Sequence, residues 1–303
     1  MNLETKLGQI TLDNPFIAAS GTYGYGIEWE ELSSPGEFGA IVSKGIFPEP
    51  KKGNPSPRLA ETSCGLINSI GLEGPGIDIF LNEILPEMRK LGTLCFVNIN
   101  GDSVDEYGEL ARRLNSVDGV SGLEINVSCP NLETGGMAFG IDPESVSQIT
   151  KTVRQEYDGL ILAKLTPNVT DIRIQAKAAL DAGADALTVA NTWSGMTIDV
   201  HKRTSRIGRD YGGYSGAAIK PVTLKLVHQV YKEFKCDIVG SGGIYNLFDC
   251  LEYFIAGAKA VMLGSVNFVY PDKVVSLKQE LVEFLEGEEI TLSEIIGSYE
   301  GPN

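Results

Sequence analysis

The segment NVSCPN (126–131) places a cysteine among polar residues directly after a short apolar run. A thiol has an ordinary pKa of about 8.5, and its thiolate is a competent base once the surroundings lower that pKa. The loop that follows, LETGGMAFG (132–140), is rich in glycine and contains threonine. Cys129 is therefore a candidate catalytic base, and the alternative is an inert, half-buried cysteine.

Two lysines and several asparagines also stand at or near the ends of apolar runs, namely Lys44, Lys164, Asn98, Asn126 and Asn191. A buried lysine is costly unless it is paired, so this set indicates a shared polar site better than it indicates a core. A lysine could stabilise an anionic reduced flavin at its N1–C2=O edge. Asparagine amides both donate and accept, so they could pair with a ring of alternating N–H and C=O groups, such as a pyrimidine.

Glycines follow the last two apolar runs, as GSGG (240–243) and GS (264–265). Glycine lets backbone N–H groups approach a phosphate closely, and barrels of parallel strands commonly bind phosphate after their last two strands. The chain contains neither a G-x-G-x-x-G fingerprint nor a P-loop lysine motif. The pattern favours a mononucleotide such as FMN over NAD or FAD, although glycines at strand ends also occur as plain turns.

The elements that must position these residues are eight short runs rich in apolar or β-branched residues, which suit strands buried on both faces of a parallel sheet. Helix signals separate the runs, such as Asp142-Pro143 and Thr170-Asp171 at helix starts, and Asn246 before a segment that ends at Gly257. Alternating strands and helices predict an α/β fold, a (β/α)₈ TIM barrel, with an open sheet as the alternative. The runs are FIAAS (16–20), AIVSK (40–44), LCFVN (94–98), LEINV (123–127), LILAK (160–164), ALTVA (186–190), DIVGS (237–241) and AVMLG (260–264).

Two longer segments interrupt this alternation. The segment 46–75 is rich in proline and glycine, and the segment 193–219 holds glycines and basic residues. We expect both to be inserted loops that cover the C-terminal face of the barrel, where the active sites of such barrels lie. Nothing in the composition divides the chain, so residues 1–303 are expected to form a single FMN-binding barrel domain.

Composition excludes several classes of function. The chain has 303 residues and a net charge of −15, so nucleic acid would be repelled. Its five cysteines include no C-x-x-C pair, which argues against a zinc or iron–sulfur site, and no other metal cluster is visible. We found no signal peptide and no apolar run long enough to cross a membrane, so we expect a cytoplasmic protein.

Together these residues resemble the dihydroorotate dehydrogenases over essentially the whole chain. The resemblance is carried by NPFIAASGTYGYG, VSKG, GNPSPRLAET, NSIGLEGPG, INVSCPN, KLTPNVTD, ANTWSGM, GGYSGAAIKP, GSGGI and LGS. It implies a barrel that binds FMN at its top and oxidises dihydroorotate to orotate in pyrimidine biosynthesis. By the same resemblance, Cys129 would remove a proton from substrate C5 while hydride passes from C6 to FMN N5.

The resemblance also implies two sets of binding residues. The substrate would be held by Lys44, Asn68, Ser69, Ile70, Gly71, Leu72, Asn126, Asn191 and Thr192. FMN would be held by Ser20, Lys44, Gly45, Asn98, Asn126, Lys164, Gly216, Gly242, Gly243, Gly264 and Ser265.

A cysteine at position 129 resembles the class I branch, and GNPSPRLAET, IGLEGPG and GGYSGAAIKP resemble its NAD-linked class IB. That class implies a homodimer joined to two partner subunits that carry FAD and a [2Fe–2S] cluster. Cys64-Gly65, Thr192 and Trp193-Ser194 depart from the expected pattern. The alternatives are the fumarate-linked class IA, an FMN barrel acting on another dihydropyrimidine or on dihydrouridine in RNA, and a non-redox barrel that binds a phosphate ligand.

Overall fold

The computed structural model describes residues 2–127, 130–131, 137–138 and 140–302. Eight parallel strands close into a barrel, and each coincides with one of the apolar runs in the sequence. The predicted (β/α)₈ architecture is therefore confirmed. In chain order, the first to eighth barrel strands are Phe16–Ala18, Ala40–Val42, Leu94–Ile99, Gly122–Asn126, Leu160–Lys164, Ala186–Val189, Asp237–Ser241 and Ala260–Leu263.

Helices lie between the barrel strands and pack against their outward side chains. The α-helices are Ile77–Ile79, Leu85–Met88, Val104–Leu114, Pro143–Glu156, Ile172–Asp181, Lys220–Phe234, Leu247–Ala256, Lys273–Gly287 and Leu292–Ile295. Phe80–Ile84 forms a π-helical turn between the first two of them. Short 3₁₀ helices are formed by Ile27–Trp29, Pro35–Glu37, Arg89–Leu91, Ala217–Ile219 and Ser265–Phe268.

The predicted helix starts are confirmed by their capping bonds. The Asp142 carboxylate accepts hydrogen bonds from the backbone N–H groups of Glu144 and Ser145, one turn into the helix that Pro143 opens. Asn246 and Asp249 form a reciprocal capping box, and Gly257 ends the same helix at φ 115°. These bonds satisfy N–H and C=O groups that a helix end leaves without partners.

The barrel interior is apolar towards the N-terminal ends of the strands and polar towards their C-terminal ends. Phe96, Leu162 and Val239 pack in one buried cluster inside the barrel. Leu7 and Leu12, from an N-terminal hairpin of Thr5–Leu7 and Ile10–Leu12, belong to the same cluster and are fully buried. The hairpin thus closes the N-terminal end of the barrel, and the opposite end is left for polar groups.

The two segments expected to cover the barrel form one antiparallel sheet, which we call the cover sheet. Its strands, in spatial order, are Trp193–Gly195, Gly212–Ser215, Gly65–Asn68 and Leu59–Thr62. The sequence predicted loops at this face, and the structure shows that residues from both insertions pair with each other. Two further pairs of short strands are Ile198–Asp199 with Thr204–Ser205, and Pro130–Asn131 with Met137–Ala138.

None of the helices in the described ranges combines the length and the apolar character needed to cross a membrane.

Candidate active site

A cavity of about 1210 Å³ lies between the C-terminal ends of the barrel strands and the cover sheet. Every site residue predicted from the sequence lines it, apart from Cys129, which lies outside the described residues. The predicted residues are thus brought together, and their individual roles stay predictions. They are Ser20, Lys44, Gly45, Asn68, Ser69, Ile70, Gly71, Leu72, Asn98, Asn126, Lys164, Asn191, Thr192, Gly216, Gly242, Gly243, Gly264 and Ser265.

Four asparagine side chains form a continuous chain of hydrogen bonds at the barrel end of the cavity, which we call the amide chain. Asn98 Oδ1 accepts from Asn100 Nδ2 at 2.8 Å, and Asn100 Oδ1 accepts from Asn126 Nδ2 at 2.8 Å. Asn126 Oδ1 accepts from Asn191 Nδ2 at 3.2 Å, and Asn191 Oδ1 accepts from the backbone N–H of Thr192 at 2.8 Å. The amide chain therefore links the third, fourth and sixth barrel strands.

The amide chain begins at a buried carboxylate, Glu124, on the fourth barrel strand. Its Oε1 accepts from Asn98 Nδ2 at 2.7 Å and from the ammonium of Lys164 at 3.1 Å. Its Oε2 accepts from Thr188 Oγ1 at 3.0 Å. Three donors thus compensate a carboxylate that is 0% exposed, as burial of a charge requires.

Glu124 was not predicted as a site residue, although the sequence contains a signal for it. In LEINV (123–127), residues 124 and 126 point to the same side of the strand, because side chains alternate along a strand. Asn126 was assigned to the site, so Glu124 should have been assigned to the barrel interior one layer below. A glutamate at an interior position next to the predicted Lys164 would have indicated a buried ion pair.

The two predicted lysines lie in different electrostatic surroundings. Lys164 is nearly buried, and its ammonium pairs with Glu124 below the cavity. Lys44 lies 3.8 Å from Glu73 Oε2, and Arg58 also pairs with that carboxylate. Lys44 therefore shares its partner and remains partly exposed, so it can turn towards a ligand more easily than Lys164 can.

The glycines after the last two barrel strands allow neighbouring backbone segments to approach each other closely. Gly243 has φ 72°, and a Cβ atom there would lie 2.7 Å from the backbone nitrogen of Lys220 and 2.9 Å from the carbonyl of Gly216. The 3₁₀ helix Ser265–Phe268 begins directly after Gly264, and the first N–H groups of a helix have no acceptor within it. These loops can accommodate an anion such as phosphate.

The wall opposite the barrel comes from the cover sheet and the residues after it. Asn68 Nδ2 donates to the carbonyl of Gly213 at 3.1 Å, which joins the two central strands of the sheet. Ser69 is buried, and its Oγ has no hydrogen-bond partner among the described residues. A buried hydroxyl without a partner is uncommon and points to a ligand or water that would satisfy it.

The remaining cysteines of the described chain lie away from the cavity. Cys64 is exposed at the turn between two strands of the cover sheet and does not line the cavity. Burial raises the pKa of the Cys95 thiol to about 12 and that of Cys236 to about 11, and it also raises the pKa of Cys250. These three thiols therefore hold their protons near neutral pH, where they are unreactive.

The shape and donor set of the cavity fit a mononucleotide flavin. The glycine loops could hold a phosphate, Lys164 lines the cavity from the barrel, and the Ser69 hydroxyl on the cover side still needs a partner. A closed parallel barrel with glycine loops after its last two strands and an amide-lined cavity at their C-terminal ends is typical of the class of phosphate-binding (β/α)₈ barrels.

Comparison with known proteins narrows this class. The family model described as dihydroorotate dehydrogenase matches residues 2–285. A relative named dihydroorotate dehydrogenase B (NAD(+)), catalytic subunit, from Carboxydothermus hydrogenoformans is 47% identical over 290 residues, 96% of this chain and 94% of the relative. The subunit of the same name from Desulforamulus reducens is 46% identical over 299 residues, 98% of each chain. The chain belongs to the dihydroorotate dehydrogenase family.

Proposed function

We propose that this protein oxidises dihydroorotate to orotate as the catalytic subunit of an NAD-linked dihydroorotate dehydrogenase. The observation that carries the proposal is a single cavity where the amide chain, the Lys164–Glu124 pair and the glycine loops meet. In that cavity the amide chain could bind ring amide groups, the Lys164–Glu124 pair could bind an anionic ring edge, and the glycine loops could bind a phosphate. The names of the relatives support the same substrate and the same acceptor.

FMN is the cofactor that we propose for this chain, and it would supply a two-electron acceptor next to the substrate. The backbone of Gly216, Gly242, Gly243, Gly264 and Ser265 would hold its phosphate, because glycine permits close approach and helix N-termini favour anions. Lys164 would stabilise negative charge on its ring. The other proposed FMN ligands are Ser20, Lys44, Gly45, Asn98 and Asn126.

Dihydroorotate would bind on the cover side of the cavity. Amide groups both donate and accept, so they can match the alternating N–H and C=O groups of the pyrimidine ring, while the Lys44 ammonium would bind the substrate carboxylate. We propose that Cys129 removes the C5 proton, since it follows the fourth barrel strand by only three residues. The proposed substrate ligands are Lys44, Asn68, Ser69, Ile70, Gly71, Leu72, Asn126, Asn191 and Thr192.

The electrons would leave through a second protein. The relatives are named catalytic subunits, which supports the existence of a partner subunit. We propose that this partner carries FAD and a [2Fe–2S] cluster and that two copies of the present chain form the core of a heterotetramer. Five cysteines without a pairing or cluster pattern support a reducing cytoplasmic setting.

Anaerobic flavin reduction tests the proposed reaction. The purified protein should be yellow, and its flavin absorbance should bleach when dihydroorotate is added. Cys129→Ala should slow this reduction by roughly 10²–10⁴-fold, the range of general acid–base catalysis, with FMN still bound. Flavin that stays oxidised in the presence of dihydroorotate would exclude the proposed substrate, and near-normal reduction in Cys129→Ala would exclude that base.

The electron acceptor is tested separately. Steady-state assays with fumarate and with NAD, each with and without co-expressed partner subunit, distinguish the two class I branches. We expect NAD reduction only with the partner present and no turnover with fumarate. Rapid fumarate-dependent turnover by the chain alone would assign it to class IA instead.

A further inference from the structure

Glu124 lies below the cavity and does not line it, yet it contacts two residues that do, Asn98 and Lys164, as well as Thr188, which does not. The carboxylate is fully buried, and its partners come from the third, fifth and sixth barrel strands. The buried cluster inside the barrel is otherwise made of apolar residues such as Phe96 and Leu162. An ionised group there is expensive to bury, which calls for a reason beyond packing.

The first reason is the direction of the amide chain. A carboxylate can only accept hydrogen bonds, so Asn98 must turn its Nδ2 towards Glu124 and its Oδ1 towards Asn100. The same orientation then passes from one amide to the next, as far as Asn191. At the other end, the Thr192 N–H can only donate, and it meets Asn191 Oδ1. Both ends of the chain thus require the same orientation.

The second reason is the charge on Lys164. Lys164 lines the cavity, and its ammonium lies 3.1 Å from Glu124 Oε1. In this poorly solvated position the carboxylate offsets much of the positive field that a cavity ligand would experience. Unit charges separated by several ångströms inside a protein change an anion's binding equilibrium by about tenfold or more.

We propose that Glu124 is a positioning residue that fixes the orientation of the cavity amides and sets how strongly Lys164 stabilises negative charge on the cofactor. The proposal rests on the proposed function, since it takes the anionic ligand of the cavity to be a flavin. It predicts that the carboxylate keeps the flavin's reduction potential low enough for the electrons to be passed on.

Glu124→Gln separates the charge from the hydrogen bonds. The glutamine Oε1 can still accept from Asn98 and Lys164, and its Nε2 can donate to Thr188 Oγ1, so the geometry is kept while the charge is lost. The matched control is Thr188→Val, which removes a hydrogen bond to the same carboxylate but leaves both charges in place.

Sulfite is the probe, because it adds to oxidised flavin and leaves a negative charge on the ring. In Glu124→Gln, sulfite should bind at least about tenfold more tightly, and the two-electron potential of FMN should rise by about 30 mV, the equivalent of a tenfold change. Thr188→Val should stay within about twofold of the wild type in sulfite affinity. The FMN dissociation constant of each apoprotein is measured in parallel, so that loss of cofactor is not mistaken for a change in potential.

An unchanged sulfite affinity and potential in FMN-loaded Glu124→Gln would overturn the proposal, and so would an equal rise in Thr188→Val. A wild-type protein that binds no FMN would instead reject the proposed function. If Glu124→Gln does not fold, the double variant Glu124→Gln/Lys164→Gln must fold, because it removes both buried charges. The sulfite affinity of the double variant should then stay close to that of the wild type, because the two charges offset each other, and a clearly weaker affinity or a double variant that also fails to fold would overturn the proposal.

Discussion

Asn100 is the member of the amide chain that contacts neither the buried carboxylate nor the cavity. It is fully buried, receives Asn126 Nδ2 on one side and donates to Asn98 Oδ1 on the other. It joins two cavity amides that belong to neighbouring barrel strands. Replacing Asn100 therefore breaks two bonds of the amide chain without removing any proposed ligand of the cofactor or substrate.

Asn100→Leu should destabilise the protein, because it takes a hydrogen-bond partner from Asn98 and another from Asn126 in a buried place. An unsatisfied buried polar group costs about 1–3 kcal/mol, so the loss in unfolding free energy should fall in or above that range. Urea denaturation measures it. Asn82→Leu, at an exposed position, should stay within about 0.5 kcal/mol of the wild type. Equal stability of the two variants would mean that the amide chain contributes nothing to folding.

The predicted cavity residues of the barrel could be found from the sequence because they stand at strand ends, where the carboxyl ends of parallel strands meet, whereas residues 68–72 and Gly216 were assigned only through the family resemblance. Glu124 and Thr188 could not be found by that rule, because they lie within apolar runs, one layer below the ends. Their assignment requires knowing which face of each strand points inward. For Glu124 its alternation with Asn126 indicates that face, whereas Thr188 has no predicted site residue two positions away on its strand.

At the scale of elements, the barrel and the cover sheet differ in how far the sequence predicts them. Each barrel strand is an apolar run between helix signals, so the local pattern indicates both its type and its limits. The cover sheet pairs Gly65–Asn68 with Gly212–Ser215, two glycine-containing strands separated by more than a hundred residues. Their pairing depends on the barrel that brings them together, and the sequence pattern of either segment alone indicates only a loop.

Gly213 lies where the cover sheet meets the amide chain. A Cβ atom at this position would lie 2.3 Å from Thr192 Oγ1 and 3.2 Å from Asn68 Nδ2, both proposed substrate ligands. Gly213→Ala should therefore displace these side chains and raise the KM for dihydroorotate by about tenfold, in line with the loss of one or two hydrogen bonds. FMN binding should be retained, because the glycine loops that would hold its phosphate lie elsewhere in the cavity.

Steady-state kinetics and FMN titration together measure this effect. Gly287→Ala is the matched control, since a Cβ atom at Gly287 meets nothing within 4 Å and alanine favours a helix. It should leave KM unchanged. A normal KM in Gly213→Ala would mean that Thr192 and Asn68 can move aside without weakening substrate binding, and would remove them from the proposed substrate site.

At the scale of the whole molecule, burial determines how stability responds to pH. The apolar layer between strands and helices buries Cys95, Cys250 and Tyr253, among others. Desolvation raises the pKa of each of these groups, because burial disfavours the charged form. The folded state therefore holds their protons at pH values where the unfolded chain has released them.

This difference predicts a loss of stability at alkaline pH. The unfolded thiol ionises near pH 8.5, whereas the folded Cys95 keeps its proton until about pH 12, so the folded state binds more protons between these values. The stability associated with Cys95 is fully present below pH 8.5 and is lost as the pH rises towards 12. One pKa unit corresponds to about 1.4 kcal/mol, so the loss by pH 10.5 should be about 2–3 kcal/mol for this thiol.

Cys95→Ala should remove that part of the pH dependence. Between pH 7.5 and pH 10.5, its unfolding free energy should fall by about 2 kcal/mol less than that of the wild type, whatever its stability at pH 7.5. Cys64→Ala removes an exposed thiol and should keep the wild-type slope. Urea denaturation at several pH values, under reducing conditions, measures all three proteins. Parallel pH profiles for wild type and Cys95→Ala would mean that the barrel opens enough for Cys95 to ionise while the chain stays folded.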